Sequence, residues 1–370
     1  MADDVRSQHG RGHSATSRRS LLAGFGVLLA WRHGVPSDIE SHPGSGAGGR
    51  GGVQVKNVRQ IRLDAPSFGH VMAWSPDSRR LAVGGLLDKR MSVWDVRTGQ
   101  RLPGPPDQSG GVEALAYSSD GRYLAVKRGA LGQPPPGQTR AVGPERYVVS
   151  LWDAHTGSWV QNLPDEAEEI KFFGGRSMTF SPDSRRLAVT YQQIAFYEND
   201  GAAWRRIGAL ALGALVIAFS PDGNRLAGNS GQQIRTYEVP TGRTLLSWPS
   251  LMPAKELGYP SIAFSPDGSE LAVGSGPHLA LYDPDSGALR KTLQPVSPYQ
   301  IYSLSYSSDG RFLAVAIART VRIFETASWA EVASLKDHAP RSVEKVAFSP
   351  DGSLLAAVGG DVITLWELSR

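Results

Sequence analysis

The stretch AFSPDGSELAV, Ala263–Val273, has close relatives at six other places in this chain of 370 residues. Each copy contains a Ser-Pro-Asp-Gly turn or a near variant of it. The intervals between successive turns are 39 to 45 residues, apart from one of 63. Repetition at this period indicates one supersecondary unit that is copied along the chain. The turns begin at Ser75, Ser118, Ser181, Ser220, Ser265, Ser307 and Ser349.

The residues on either side of each turn are typical of β-strands. Before the turn, large and small side chains alternate, as in Ile262-Ala263-Phe264, which is the period-two pattern of a strand. The small residue is always Ala, Ser or Thr, and we expect it to face a crowded axis. Proline and aspartate favour a tight turn. The chain then returns as a continuously apolar strand such as Leu271–Val273, typical of a strand covered on both faces.

Two further strands complete each repeat. A third strand ends with an aromatic residue and an acid, as in Trp94-Asp95, and several copies continue with Thr-Gly or Ser-Gly. An outer strand follows and leads into the next repeat. We assign four tryptophans to these outer strands: Trp159, Trp204, Trp248 and Trp329.

Seven repeats of four strands predict an all-β fold, a seven-bladed β-propeller of four-stranded antiparallel blades. The last repeat stops after its third strand, Ile363–Leu368, whereas an additional strand, Val58–Leu63, precedes the first repeat. We expect this N-terminal strand to pair with the last blade. Such pairing closes the ring and removes exposed sheet edges.

From Val58 to Leu368 the chain resembles the WD40 repeat family, on the basis of its Trp-Asp endings and evenly spaced Ser-Pro-Asp-Gly turns. The family's Gly-His dipeptide is clear only at Gly69-His70, with a remnant at Asp337-His338. The resemblance therefore implies that the family's buried His, Ser/Thr, Trp and Asp network is mostly missing. It also implies a non-catalytic scaffold that binds a protein or peptide.

Residues 1–52 differ from the propeller region, 53–370. Arg18-Arg19 precedes an apolar stretch, Leu21–Trp31, whose length suits a signal peptide better than a membrane span. The pattern resembles a twin-arginine signal and predicts a bacterial protein exported to the periplasm or cell envelope. A cytoplasmic leader is the alternative. If this segment stays uncleaved, we expect it to be the part of the chain that contacts a membrane. A Gly/Ser-rich linker, Ser41–Gly52, follows the segment.

Composition and motifs restrict the chemistry. The chain has no cysteine, and its net charge of +4 comes from scattered residues, so nucleic acid is not the expected partner. We find no nucleophile elbow, phosphate-binding loop or metal-binding histidine motif, and therefore predict no catalytic residue, metal or cofactor. The four histidines of the repeats are interpreted as turn or surface residues. The seven aspartates of the turns are interpreted as local backbone caps. We expect a monomer.

Candidate partner residues lie where the repeats differ. The Pro/Gly-rich segment Lys127–Arg146 reads as a loop inserted into the second blade. By analogy with the family it lies on the partner-binding face, together with three tyrosines. A propeller enzyme or small-ligand binder, with polar residues around the central channel, is the alternative function. The predicted partner residues are Lys127, Arg128, Arg140 and Arg146, all expected to be exposed, and Tyr259, Tyr299 and Tyr302.

Overall fold

The computed structural model divides the chain into two units, Met1–Gly46 and Ala47–Arg370, and all described residues belong to the second. The leader and linker predicted for residues 1–52 lie outside the described residues. The structure describes residues 54–63, 69–86, 91–106, 111–129, 147–163, 175, 177–191, 193–210, 214–251, 260–293, 299–336 and 342–369.

These residues form seven four-stranded antiparallel sheets, and each sheet is one blade of a propeller. The predicted all-β, seven-bladed architecture is confirmed. From the first, innermost strand to the outer strand, blade 1 contains β2 (Val71–Trp74), β3 (Arg80–Gly84), β4 (Met91–Asp95) and β5 (Arg101–Leu102); blade 2 contains β6 (Gly111–Tyr117), β7 (Tyr123–Gly129), β8 (Tyr147–Asp153) and β9 (Trp159–Asn162); blade 3 contains β10 (Met178–Phe180), β11 (Arg186–Thr190), β12 (Ile194–Asn199) and β13 (Trp204–Leu210).

The remaining blades follow the same order. Blade 4 contains β14 (Val216–Phe219), β15 (Arg225–Asn229), β16 (Gln233–Glu238) and β17 (Thr244–Pro249); blade 5 contains β18 (Ser261–Phe264), β19 (Leu271–Ser275), β20 (His278–Tyr282) and β21 (Leu289–Leu293); blade 6 contains β22 (Ile301–Tyr306), β23 (Phe312–Ile317), β24 (Thr320–Glu325) and β25 (Glu331–Leu335); blade 7 contains β26 (Lys345–Phe348), β27 (Leu354–Gly359), β28 (Val362–Ser369) and β1 (Gln54–Arg62).

Pairing between β1 and β28 closes the ring, as predicted. The two strands run antiparallel from Gln54 opposite Ser369 to Arg62 opposite Val362. The N-terminal strand is therefore longer than expected from the sequence, because it begins at Gln54 and not at Val58. Closure also joins blade 7 to blade 1, since the Arg59 guanidinium donates to the carbonyls of Arg97 and Thr98, both at 2.8 Å.

The hydrophobic core is divided among the interfaces between blades. Second strands are buried on both faces, as Leu271, Ala272 and Val273 show with exposures of 0, 0 and 1%. Among the described residues, buried apolar side chains form a cluster at each of the seven interfaces between neighbouring blades. Each blade is thus held by two neighbours, which explains the continuous apolarity of its second strand.

The inner strands of neighbouring blades contact each other at the small residue of the first strand. Ser305 Oγ accepts a hydrogen bond of 3.0 Å from the backbone N–H of Phe348 in the next blade. The indole of Trp74 likewise donates to the carbonyl of Ala347, in the blade before it, at 3.1 Å. At these two interfaces the small side chain allows the neighbouring inner strand and its aromatic residue to approach closely.

Three of the four assigned tryptophans, Trp159, Trp204 and Trp248, lie on outer strands as predicted. The fourth, Trp329, does not. It lies in the turn that joins β24 to β25, before the outer strand begins at Glu331.

We expect the closing strand to contribute to the stability of the whole ring. Ile61 is 5% exposed and packs in the cluster that joins blades 7 and 1. Ile61→Ala should lower the free energy of unfolding by about 2–5 kcal/mol, because it removes buried methyl groups and leaves a cavity. Urea unfolding followed by tryptophan fluorescence measures this change.

Val58→Ala is the matched control, because Val58 lies in the same strand but is 39% exposed. Its effect should stay below about 1 kcal/mol. A similarly small effect of Ile61→Ala would show that β1 contributes little to the stability of the closed ring.

Candidate protein-interaction surfaces

The antiparallel blades give the ring two different ends. Turns between first and second strands, and between third and outer strands, lie at one end, which we call the turn end. Connections between second and third strands, and from each outer strand to the next blade, lie at the opposite end, which we call the loop end.

At the turn end, all seven serine–aspartate turns form the same hydrogen bonds. In each, the Ser Oγ donates to the Asp Oδ1 two residues later, at 2.5–2.6 Å. The same Ser Oγ accepts the backbone N–H five residues later. Bonds from Ser220 and Ser265 are the largest causes that hold the pKa of Asp222 and Asp267 below the usual value. Each Asp Oδ1 also accepts the backbone N–H two residues later, at 3.0–3.1 Å, so the predicted capping role of the aspartates is confirmed.

Two of these turns also connect neighbouring blades. Ser78 and Ser184 replace the usual glycine and keep its left-handed backbone, with φ values of 59° and 60°. Ser78 Oγ accepts the backbone N–H of Asp351 in blade 7 at 3.0 Å, and Ser184 Oγ accepts that of Asp120 in blade 2 at 2.9 Å. A non-glycine residue in this strained conformation therefore supplies a side-chain contact that glycine lacks.

At the loop end, Lys127 is buried, with an exposure of 0%, and it connects blades 2 and 3. Its Nζ donates to the carbonyls of Gly175 and Thr190, at 2.6 and 2.7 Å. It also lies 3.3 Å from Oε2 of Glu113, a buried carboxylate on β6 that the sequence analysis did not single out. The sequence did contain a signal for Glu113, because it is an acidic residue within an otherwise apolar strand. Lys127 thus acts as a structural tie between two blades.

The expected exposure of Lys127 and Arg128 is wrong. Arg128 is only 4% exposed, and both residues belong to β7, where Arg128 is paired with Val112 and Val148 on its two sides. A residue in the middle of a three-strand ladder cannot extend freely into solvent as a loop residue does. The predicted insertion, 127–146, therefore begins after Gly129, and its remaining part, 130–146, lies outside the described residues.

Of the other predicted partner residues, two are described. Tyr299 is 48% exposed and precedes β22, and Tyr302 is partly exposed at the start of that strand. Both lie at the loop end of blade 6. Blade 6 is not a neighbour of blade 2, so the structure does not bring these tyrosines to Lys127. Arg140, Arg146 and Tyr259 lie outside the described residues.

His70 is buried and not a surface residue, so this part of the histidine interpretation is wrong. Its backbone N–H donates to Glu344 Oε2 at 2.7 Å, and its Nδ1 lies 3.0 Å from the same oxygen.

Part of the polar network that is familiar from the WD40 family is present, because the indole of Trp94 donates to Ser92 Oγ at 2.8 Å. Trp152 makes the same bond to Ser150 in blade 2.

In the described part of the chain, no group of three or more His, Asp or Glu side chains is arranged to hold a metal ion. The same residues include no helix with the length and hydrophobicity needed to cross a membrane.

Comparison with known proteins agrees with the fold. The family model described as "WD domain, G-beta repeat" matches residues 65–95 and 329–367. The curated "WD repeat-containing protein SL1-17" of Schistosoma mansoni is 34% identical over 123 residues, which are 33% of this chain and 33% of that protein. The matching region thus spans about a third of the length of this relative.

Propellers of the WD40 type generally serve as scaffolds for protein interactions. With seven four-stranded blades and the matched repeats, this chain is a seven-bladed propeller that is similar to the WD40 repeat family.

We expect the buried contacts of Lys127 to stabilise the folded chain. Lys127→Met should lower the free energy of unfolding by about 3–5 kcal/mol, because it leaves the buried Glu113 carboxylate without its cation. The double variant Lys127→Met/Glu113→Leu should recover most of this loss. Urea denaturation of the three proteins measures both effects.

Arg322→Met is the control, because the Arg322–Glu331 pair is partly exposed and its atoms lie 3.4 Å apart. Its effect should be about 1 kcal/mol or less. A similarly small effect of Lys127→Met would mean that the buried pair does not hold blades 2 and 3 together.

Proposed function

We propose that this WD40 propeller is a non-catalytic scaffold that binds a protein or peptide partner through its loop end. WD40 propellers generally act as protein-interaction scaffolds, and this class is the starting point of the proposal. The choice of the loop end rests on one observation: the turn end repeats one hydrogen-bonded turn seven times, whereas the connections at the loop end differ from blade to blade.

The connections between second and third strands show this difference most clearly. In blade 5, Ser275 and His278 are joined by Gly276-Pro277 alone, whereas in blade 2 residues 130–146 separate Gly129 from Tyr147. Binding residues are commonly carried by variable loops on a rigid scaffold. The exposed ring of Tyr299 adds an aromatic side chain to the same end, and aromatic residues are frequent interface anchors.

Shortening the insertion tests this proposal. Gly129 pairs directly with Tyr147, so a two-residue Asn-Gly turn can replace residues 130–146 without moving either strand. We expect the shortened chain to have an unchanged melting temperature. When immobilised, it should capture at least tenfold less partner protein than the original chain. Quantitative mass spectrometry of matched pull-downs measures the loss.

Trp159→Ala serves as the control, because Trp159 is 57% exposed at the start of an outer strand, near the turn end. It should leave capture unchanged. Unchanged capture by the shortened chain would remove the insertion from the proposed surface, and a dependence of capture on channel-lining residues would favour the alternative ligand site.

We further propose that residues 1–52 direct export to the periplasm or cell envelope of a bacterium. The paired arginines and the short apolar stretch, Leu21–Trp31, support this proposal. Twin-arginine export carries folded proteins, which suits a ring that is complete only after its first and last strands have paired.

The export proposal predicts a strict requirement for both arginines. In a bacterial host that has the twin-arginine pathway, the chain should be found in the periplasmic fraction. Arg18→Lys/Arg19→Lys should retain it in the cytoplasm, since lysine keeps the charge and tests the arginine pair itself. Immunoblots of fractionated cells measure the distribution, and equal export of both chains would contradict the proposal.

A further inference from the structure

A groove opens between blades 5 and 6 at the turn end, opposite the surface proposed above. Its volume is about 430 Å³, within the range of about 300–1,000 Å³ that is usual for ligand pockets. Its walls are the serine–aspartate turns of both blades and the turn that joins β24 to β25. The walls include two aromatic residues, Tyr306 and Trp329.

Trp329 occupies a position that glycine holds in other blades. Its backbone N–H donates to the carbonyl of Glu325 at 2.7 Å, and four glycines make the same bond in blades 1, 2, 4 and 5. Its φ of 58° lies in the left-handed region, which is unfavourable for an aromatic residue. The equivalent glycines are Gly99, Gly157, Gly242 and Gly287.

Three other described non-glycine residues have a left-handed backbone. Ser78 and Ser184 supply a side-chain bond between blades, whereas Ala318 lies in the short turn between β23 and β24. Trp329 supplies an aromatic wall. It is partly buried against the apolar cluster of blades 5 and 6, and it also lines the groove. At the neighbouring interface the arrangement is reversed, because Gly287 lies in the turn and Trp248 covers it from the preceding blade. Trp329, the tryptophan of blade 6, thus borders the open space of the groove.

The groove has an acidic character. Asp267, Glu270 and Asp309 are among its lining residues, and these described lining residues include no Lys or Arg. The Tyr306 hydroxyl donates to Glu270 Oε1 at 2.8 Å, which holds this half-buried carboxylate in place. Burial raises the pKa of Glu270, and the bond from Tyr306 opposes that rise.

The neighbouring cations Arg290, Lys291 and Arg311 are not lining residues of the groove, although Arg290 and Lys291 act to lower the pKa of Glu270. Arg290 donates to Asp283 at 2.5 Å, and Asp283 is not a lining residue. Arg311 Nη1 lies 3.9 Å from Asp309 Oδ2, which is too far for a hydrogen bond.

An aromatic wall beside carboxylates is suited to a side chain that combines an apolar stem with a cationic head. An indole attracts a guanidinium through its π face, and carboxylates accept its N–H donors. Arginine suits this combination better than lysine, because its planar head stacks and donates at the same time.

We propose that the groove between blades 5 and 6 binds an arginine side chain of a peptide segment. The site is additional to the loop-end surface and does not depend on it. The indole of Trp329 stacks on the guanidinium, and Glu270 accepts from it.

The test uses the full chain and two fluorescein-labelled pentapeptides, Gly-Gly-Arg-Gly-Gly and Gly-Gly-Gln-Gly-Gly, in a fluorescence anisotropy titration. The arginine peptide should bind at least tenfold more tightly than the glutamine peptide. Raising the salt concentration from about 50 to 500 mM should weaken its binding several-fold.

Trp329→Gly should weaken binding of the arginine peptide about tenfold, because it removes the stacking surface. Glycine is the residue that related turns use at this φ, so the turn itself keeps its conformation. Glu270→Gln should also weaken binding about tenfold, and its amide oxygen can still accept the Tyr306 bond. Melting temperatures confirm that both variants are folded.

Trp159→Ala and Glu367→Gln are matched controls at exposed positions outside the groove, and both should bind the peptide normally. No difference between the two peptides, or unchanged binding by Trp329→Gly and Glu270→Gln, would overturn the proposal. Replacement of residues 130–146 should not change this affinity. The loop-end proposal and the groove proposal can therefore be contradicted independently of each other.

Discussion

Every blade of this propeller has two apolar faces, and that constraint determines the arrangement of the whole chain. A sheet whose second strand is buried on both sides, as at Leu271–Val273, needs a neighbour on each face. An open stack would leave the first and last blades with one uncovered face each. Pairing of β1 with β28 solves this problem, because it completes blade 7 and brings it against blade 1.

The interfaces between blades combine apolar packing with a small number of polar ties. Small residues in the inner strands let the next blade approach, and Ser305 uses its hydroxyl to satisfy a backbone N–H of that blade. Arg59, Lys127 and Ser184 form the same kind of tie at other interfaces. Their bonds go mostly to backbone atoms, so they fix the relative position of two blades without requiring a matching side chain.

Repetition makes departures from the pattern informative. Seven equivalent turns use the same serine and aspartate bonds, so their carboxylates share one structural role. Trp329 is different, because a bulky residue has replaced glycine in a left-handed turn and borders a groove with acidic walls. Comparison among the blades of one chain thus separates residues that maintain the fold from residues that are candidates for binding.

The repeat period, the turn residues and the alternation of large and small side chains were sufficient to predict the seven blades and their closure. These signals are local, and each is repeated, so an error in one copy does not change the result. Side-chain environments could not be predicted in this way. Lys127 appeared to begin a loop, but pairing on both sides of β7 buries it beside Glu113.

The sequence by itself determined the number of blades, the turn chemistry and the strand that closes the ring, because these depend on spacing and local conformational preference. Only the tertiary structure decided which charged residues are buried and which tryptophan borders a groove. Those outcomes depend on contacts between blades, where residues far apart in the chain meet. Trp329 and Glu270 are separated by more than a repeat, and only packing of blade 5 against blade 6 places them in the walls of one groove.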